Sequence, residues 1–258
     1  MEKKINFQKL MSEFANDISK RTGLLTEDSV RYYVFKAFLS QDSNLNNYTL
    51  ELPYESITYD KKGNKYGVRL IKNDGLEKKN GKLDQELDLY HSNDGEPICM
   101  EIKFHRHPSD INFPMPQAAG SLFNDLRRLQ LFSSTDGRKI RKLFLYVTDS
   151  LMDKYLKGGG NGYREALNNF YSLIDREYFE LSEKDFYTKK TKKDKVVLEL
   201  SETFKLASSK SFKEKSTWGV PLKLKLLWGN TDEITCESES IREDSEKRPV
   251  NIRLYEVL

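Results

Sequence analysis

LDLYHSNDGEPICMEIKF, residues 87–104, is the stretch on which the fold turns. From Gln85 to His91 the chain alternates, with Leu87 and Leu89 on one face and Glu86, Asp88 and Tyr90 on the other. Such alternation marks a strand with one buried face. Ser92-Asn93-Asp94-Gly95 follows, and an Asp-Gly pair between two such runs predicts a tight β-hairpin. Pro97 to Phe104 is then the return strand, and its apolar character places it inside a sheet. Within it Glu101 and Lys103 share one face, while Met100, Ile102 and Phe104 share the other. A hairpin centred on Asp94-Gly95 sets Asp88 opposite Glu101. Two carboxylates and an ammonium are thereby expected at one spot on the sheet.

Two carboxylates that close raise each other's pKa unless a cation stands between them. Mg²⁺ suits the position, because it takes one or two carboxylates together with waters and phosphate oxygens. An ion held there would polarise a phosphoryl oxygen and supply a hydroxide nucleophile. Lys103 would orient or deprotonate the attacking water, or steady charge on the phosphorus. The Ile102 carbonyl projects sideways from the strand and is a further candidate ligand. The competing reading is a half-exposed hairpin with a cross-strand Glu–Lys pair. An Asp followed by Glu-x-Lys is common by chance, but a carboxylate on so apolar a strand needs a partner.

Working outward, Phe7, Leu10, Met11, Phe14 and Ile18 give residues 5–20 a helical stripe. Thr26 predicts an N-cap, with Glu27 and Asp28 in the first turn of a helix running to about Leu39. Glu27 falls on the same face as Val30 and Val34, an odd place for a carboxylate unless it points at something. Tyr48 to Ile57 predicts strand, and residues 60–82 a hairpin or loop around Val68 to Ile71. Residues 107–116 hold three prolines and read as a loop. Gln117 to Phe132 predicts a helix with Leu122, Leu126 and Leu129 inward. Lys142 to Thr148, KLFLYVT, is the best buried strand. Gly158 to Gly160 reads as a joint, residues 163–176 as a helix, and 196–200, 222–228 and 252–257 as short strands. This order predicts an α/β fold with a mixed central sheet flanked by helices and a less regular C-terminal extension. The expected division is a core over residues 1–158 and a C-terminal part over 159–258.

The run from Leu87 to Phe104 resembles the core of the PD-(D/E)XK nuclease superfamily, to which many restriction endonucleases belong. Asp88, Glu101 and Lys103 match that family's metal-site positions, although Leu87 stands where the naming proline would be. Glu27 in LTEDSVRYYVF matches the acidic helix residue that often completes the site. Gln117 in PQAAGSLFNDLRRL suits the polar residue that often faces it. The resemblance covers roughly residues 24–150 and implies a restriction-endonuclease-like fold. It further implies an Mg²⁺-dependent endonuclease, with Mn²⁺ as a substitute, acting on DNA, with RNA the alternative substrate. A double-strand cut calls for two sites, so a homodimer is an expected assembly. The C-terminal part would serve target recognition or dimerisation, and defence against foreign DNA is the implied biology. The rivals are a non-catalytic nucleic-acid-binding or protein-interaction module on the same fold, and an unrelated α/β scaffold.

The chain has 258 residues, 43 Lys and Arg against 40 Asp and Glu, and a net charge of +3. Overall charge therefore does not mark a nucleic-acid binder, and any such surface must come from local clusters. Candidates for phosphate contact are His105 and Arg106 after the lysine strand, Arg127 and Arg128 on the following helix, and Lys190, Lys192 and Lys193 at a loop or hairpin tip. For the arginine pair a solvated face beside Asp125 is an equal alternative, and for the lysines a solvated loop. Cys99 and Cys236 make neither a disulfide framework nor a zinc site. With no signal peptide or membrane span in view, a reduced, cytoplasmic protein is expected.

Overall fold

The computed structural model describes residues 4–53, 68–69, 86–92, 96–106, 122, 125–126, 129–130, 132–133, 138–156, 175–181, 187–192, 195–200, 221–230, 233–238 and 246–258. The chain opens with two helices, α1 (Phe7–Ser19) and α2 (Glu27–Gln41). Each starts where its cap dictates. The Asn6 side chain accepts from Lys9 N–H and the Thr26 hydroxyl from Ser29 N–H, satisfying amides that the first helical turn leaves open.

Strands β1 (Tyr48–Pro53), β2 (Val68–Arg69), β3 (Glu86–His91) and β4 (Ile98–His105) follow. The helical residues 122, 125–126 and 129–130 form α3. Next come β5 (Phe132–Ser133), β6 (Arg141–Asp149) and α4 (Ser150–Leu156). The remaining strands are β7 (Tyr178–Leu181), β8 (Tyr187–Lys192), β9 (Lys195–Leu200), β10 (Leu222–Gly229), β11 (Ile234–Ser238) and β12 (Glu246–Val257).

Eight strands make the main sheet, in the order β1-β3-β4-β6-β12-β10-β7, with β11 paired to β12. The chain is thus a mixed α/β protein. Its described neighbours in this sheet are antiparallel except β4 and β6. A parallel pair needs a crossover connection, and α3 lies in the chain between these two strands. Because β12 sits between β6 and β10, strands from both sides of residue 158 share one sheet. The hairpin of β8 and β9 stands apart, as does the parallel pair of β2 and β5.

The register of the central hairpin is the one its turn predicts. Leu89 pairs with Met100, Tyr90 with Cys99 and His91 with Ile98, a symmetry about residues 94 and 95. One face of the sheet carries Leu89, Met100, Ile102, Leu143, Leu145, Val147, Ile252 and Leu254, which join α1 and α2 in a single apolar cluster. Leu10, Met11, Phe14 and Ile18 of α1 and Val30, Val34 and Phe38 of α2 close that face. Burying a large aliphatic side chain is worth about 1.5–3 kcal/mol, so the helices are held chiefly by this stripe. The opposite face is polar at β3 and β4 and holds the site. Among the described residues no helix is long and apolar enough to cross a membrane.

Candidate active site

Asp88 is where the two hairpin strands part. The paired ladder ends at Leu89 and Met100. One residue further, Asp88 Oδ2 accepts the Ile102 N–H at 2.6 Å. The side chain thus replaces a backbone acceptor and fixes the carboxylate against β4. In an antiparallel ladder one residue directs both its N–H and its C=O to the same neighbour. The Ile102 carbonyl therefore faces the Asp88 side as well.

Asp88 also shares a side-chain hydrogen bond with Glu101. The convergence of these carboxylates, read from hairpin register and strand alternation, is thus present. Both are buried. Burial pushes the Asp88 carboxyl above the usual range, opposed by the Ile102 N–H and by Arg31.

Two helices bring further charge to this spot. Glu27, the first residue of α2, has its carboxyl pushed up by burial, against the pull of Lys103 and Arg31. Asp125 of α3 lies 3.5 Å from Lys103 Nζ. Burial alone would lower the Lys103 ammonium, but Asp125, Glu27 and Asp88 outweigh it and hold the group protonated. Lys103 is 24% exposed, which leaves its head within reach of solvent. Arg31, one helical turn after Glu27, sets its Nη2 3.1 Å from Glu27 Oε1 and 2.7 Å from Asp88 Oδ1.

Arg31 and Asp125 were not singled out from the sequence. A signal for each was present. Glu27 and Arg31 have the i, i+4 spacing of a helical ion pair. Asp125 lies three residues after Leu122 and four before Leu129, on an apolar stripe, the same anomaly that marked Glu27.

His105 ends β4 differently from a phosphate-binding rim. His105 is buried, and its Nδ1 lies 3.1 Å from the Tyr146 hydroxyl. Burial, helped by the nearby Lys103 charge, lowers its pKa to about 3 and keeps it neutral. Such a group supports the sheet and offers no positive charge to a phosphate. Arg106 is half-buried just past the strand. Lys190 and Lys192 lie in β8, whose register with β9 pairs Lys192 with Lys195, so the lysine cluster belongs to a hairpin. Gln117, Arg127, Arg128 and Lys193 lie outside the described residues.

Two carboxylates and a sideways-facing carbonyl are oxygen donors of the kind a hard divalent cation takes, since Mg²⁺ asks for only one or two carboxylates and keeps its waters; the Lys103 ammonium stands beside them and is no ligand. Among the described residues no group of three or more His, Cys, Asp or Glu is placed to hold a metal ion. Compared with known protein families, curated proteins and solved structures, the chain matches none.

Proposed function

We propose that this chain is an Mg²⁺-dependent DNA endonuclease with a restriction-endonuclease-like fold. The observation that carries the reading is the contact of Asp88 with Glu101, one row along the sheet from Lys103. Two buried carboxyls this close either share a proton or gather round a cation, and an incoming divalent ion would take the proton's place. The order of elements supports it: a helix, an antiparallel run β1-β3-β4, a helix, and then β6 parallel to β4.

In this reading Asp88 and Glu101 hold the metal ion, with the Ile102 carbonyl as a third donor. When bound, the ion supplies a Lewis acid for the phosphoryl oxygen and lowers the pKa of water. Lys103, kept protonated by Asp125, orients the attacking water and steadies negative charge on the phosphorus. Glu27 adds negative charge from α2, and Gln117, the polar residue that the resemblance sets facing the site, lies outside the described residues. A cytoplasmic role in restriction or defence against foreign DNA goes with this chemistry, as does a homodimer for a double-strand cut.

A second reading is favoured by one contact. Both Asp88 oxygens already have partners, Arg31 and the Ile102 N–H, as they would in a nucleic-acid-binding or protein-interaction module that does not cleave. Plasmid cleavage with Mg²⁺ or Mn²⁺ separates the two. Wild type should cut while Lys103→Ala and Asp88→Ala should not. Equal activity in all three would refute the site, and tight DNA binding with no metal-dependent product would favour the module.

A further inference from the structure

Arg31 stands where a cation on Asp88 would stand. Its Nη2 joins two carboxylates from different elements, 2.7 Å from Asp88 Oδ1 and 3.1 Å from Glu27 Oε1. The other Asp88 oxygen is tied to the Ile102 N–H at 2.6 Å. Oδ1 is thus the oxygen without a backbone tether, the one that turns toward α2 and that the guanidinium holds. Mg²⁺ binds carboxylate oxygen at about 2.0–2.1 Å, so the two positive charges would stand only a few ångströms apart. Like charges at that separation repel strongly away from bulk water.

We infer that Arg31 is a positioning residue, the resident counter-ion of Asp88 and Glu27, and that it and a divalent cation are alternative occupants of Asp88 Oδ1. This rests on the metal-dependent reading of the site. The charge around the site agrees. Glu27, Asp88 and Asp125 lie close enough to act on one another and on Lys103, so more than one carboxylate would draw a further positive charge to Asp88.

The exchange needs little of the fold. Asp88 stays fixed by its backbone tether, and Glu27 stays on α2. Arg31 has somewhere to go. Its Nη1 lies 3.3 Å from Asp28 Oδ1, and the Asp28 side chain is 90% exposed at the helix surface. Its Nε has no hydrogen-bond partner among the described residues, so the guanidinium is held only through its Nη atoms. Ion entry therefore turns Arg31 outward toward Asp28 without moving either carboxylate's backbone.

Mn²⁺ binding to the full chain without nucleic acid, read by electron paramagnetic resonance of the free ion, tests this. Arg31→Met should bind Mn²⁺ about tenfold more tightly than wild type, the scale of removing one nearby like charge. Arg31→Lys should return toward wild type, because the ammonium restores the competing charge. Arg31→Gln carries the same expectation as the methionine variant should that one not fold. In wild type, the Arg31 Nε–H signal in NMR should move when Mg²⁺ is added. Unchanged or weaker Mn²⁺ affinity in a folded Arg31→Met or Arg31→Gln protein, or an unmoved signal, overturns the inference. Asp88→Asn distinguishes the two layers. If it abolishes Mn²⁺ binding while the Arg31 variants bind like wild type, the metal site stands and the exchange falls. If Asp88→Asn leaves binding intact, or wild type binds no ion, the metal reading itself falls and the exchange with it.

Discussion

Buried charge occurs in two places along this sheet, and the two are built on different rules. Where β6, β12 and α4 meet, Arg253 Nη2 lies 2.9 Å from Asp153 Oδ1, and Arg248 Nη1 lies 3.5 Å from Asp149 Oδ2. Asp149 and Asp153 each have a guanidinium there, and these four side chains are at most 8% exposed; Arg253 also reaches the exposed Asp175 at 2.7 Å. At β3, α2 and α3 Glu27 and Asp88 share Arg31, and Asp125 lies beside Lys103, the two basic side chains being 34% and 24% exposed. The first group is sealed. The second is partly open. A buried charge must be paired or it destabilises the fold. The first group meets that condition away from solvent, and the second meets it where solvent reaches Arg31 and Lys103.

The largest expected effects lie in function at the open group. On the proposed reading, Lys103→Ala should lower metal-dependent cleavage by about 10²–10⁴-fold, the usual scale for a group that moves or positions a proton, and Asp88→Ala, which removes a metal ligand, by at least as much. Single-turnover cleavage at saturating Mg²⁺ measures this. A drop under threefold in both would show that the open group is not the working one. The sealed group should respond in stability instead. Arg253→Met leaves Asp153 buried without its partner and should cost about 3–5 kcal/mol in urea unfolding. A cost below about 1 kcal/mol would mean that water reaches Asp153 and that the two groups are not different in kind.

The contrast also explains which parts were legible in the sequence. Alternation and the Asp-Gly turn were sufficient for the hairpin register, because a one-residue slip would turn Leu89 and Met100 out of the core. Thr26 could be read as a cap because its chemistry is local. KLFLYVT could be read as a buried strand because its apolar run is unbroken. By contrast β12 was expected only over residues 252–257, whereas it runs from Glu246. Arg248 and Arg253 look like solvent positions until Asp149 and Asp153, about a hundred residues away in sequence, are seen to neutralise them. His105 misled in the same way. A histidine between Phe104 and Arg106 reads as an exposed strand end, and only the Tyr146 hydroxyl on the neighbouring strand shows it to be core. Local signals survive in one sequence, and long-range charge pairing does not.

His105 and Tyr146 lie between the two groups, so acid should report on the boundary. The folded pKa of His105 is about 3, well below the unfolded value of about 6.5. Between those values the unfolded chain binds a proton that the folded chain refuses. Stability from this residue is therefore complete above about pH 6.5 and falls as the pH drops toward 3. His105→Gln cannot titrate and should lose less stability than wild type across that window, in urea midpoints taken from pH 7 to pH 4. Parallel pH curves would show that His105 takes up a proton in the folded state, and that water penetrates between the open and sealed groups.

The smallest expected effect tests how the open group is held from its outer side. Thr26 Oγ1 accepts the Ser29 N–H at 3.1 Å and anchors the first turn of α2, the turn from which Glu27 reaches the site. Thr26→Ala should cost about 1 kcal/mol, lowering Tm by about 2–4 °C for a chain of this size. Thr26→Asn, which keeps an acceptor at the cap, should restore most of it. The loss should not be confined to stability. Val30, Val34 and Phe38 pin the later turns of α2 to the core, so fraying falls on the turn that carries Glu27. Mn²⁺ affinity should therefore weaken with the cap, by less than about threefold, since Glu27 is the outermost of the carboxylates and its share of the Coulomb energy is small at that distance. If Tm falls while Mn²⁺ affinity stays the same, Glu27 is placed by its contact with Arg31 rather than by the cap. The open group would then be ordered from within by its own ion pairs, as the sealed group is.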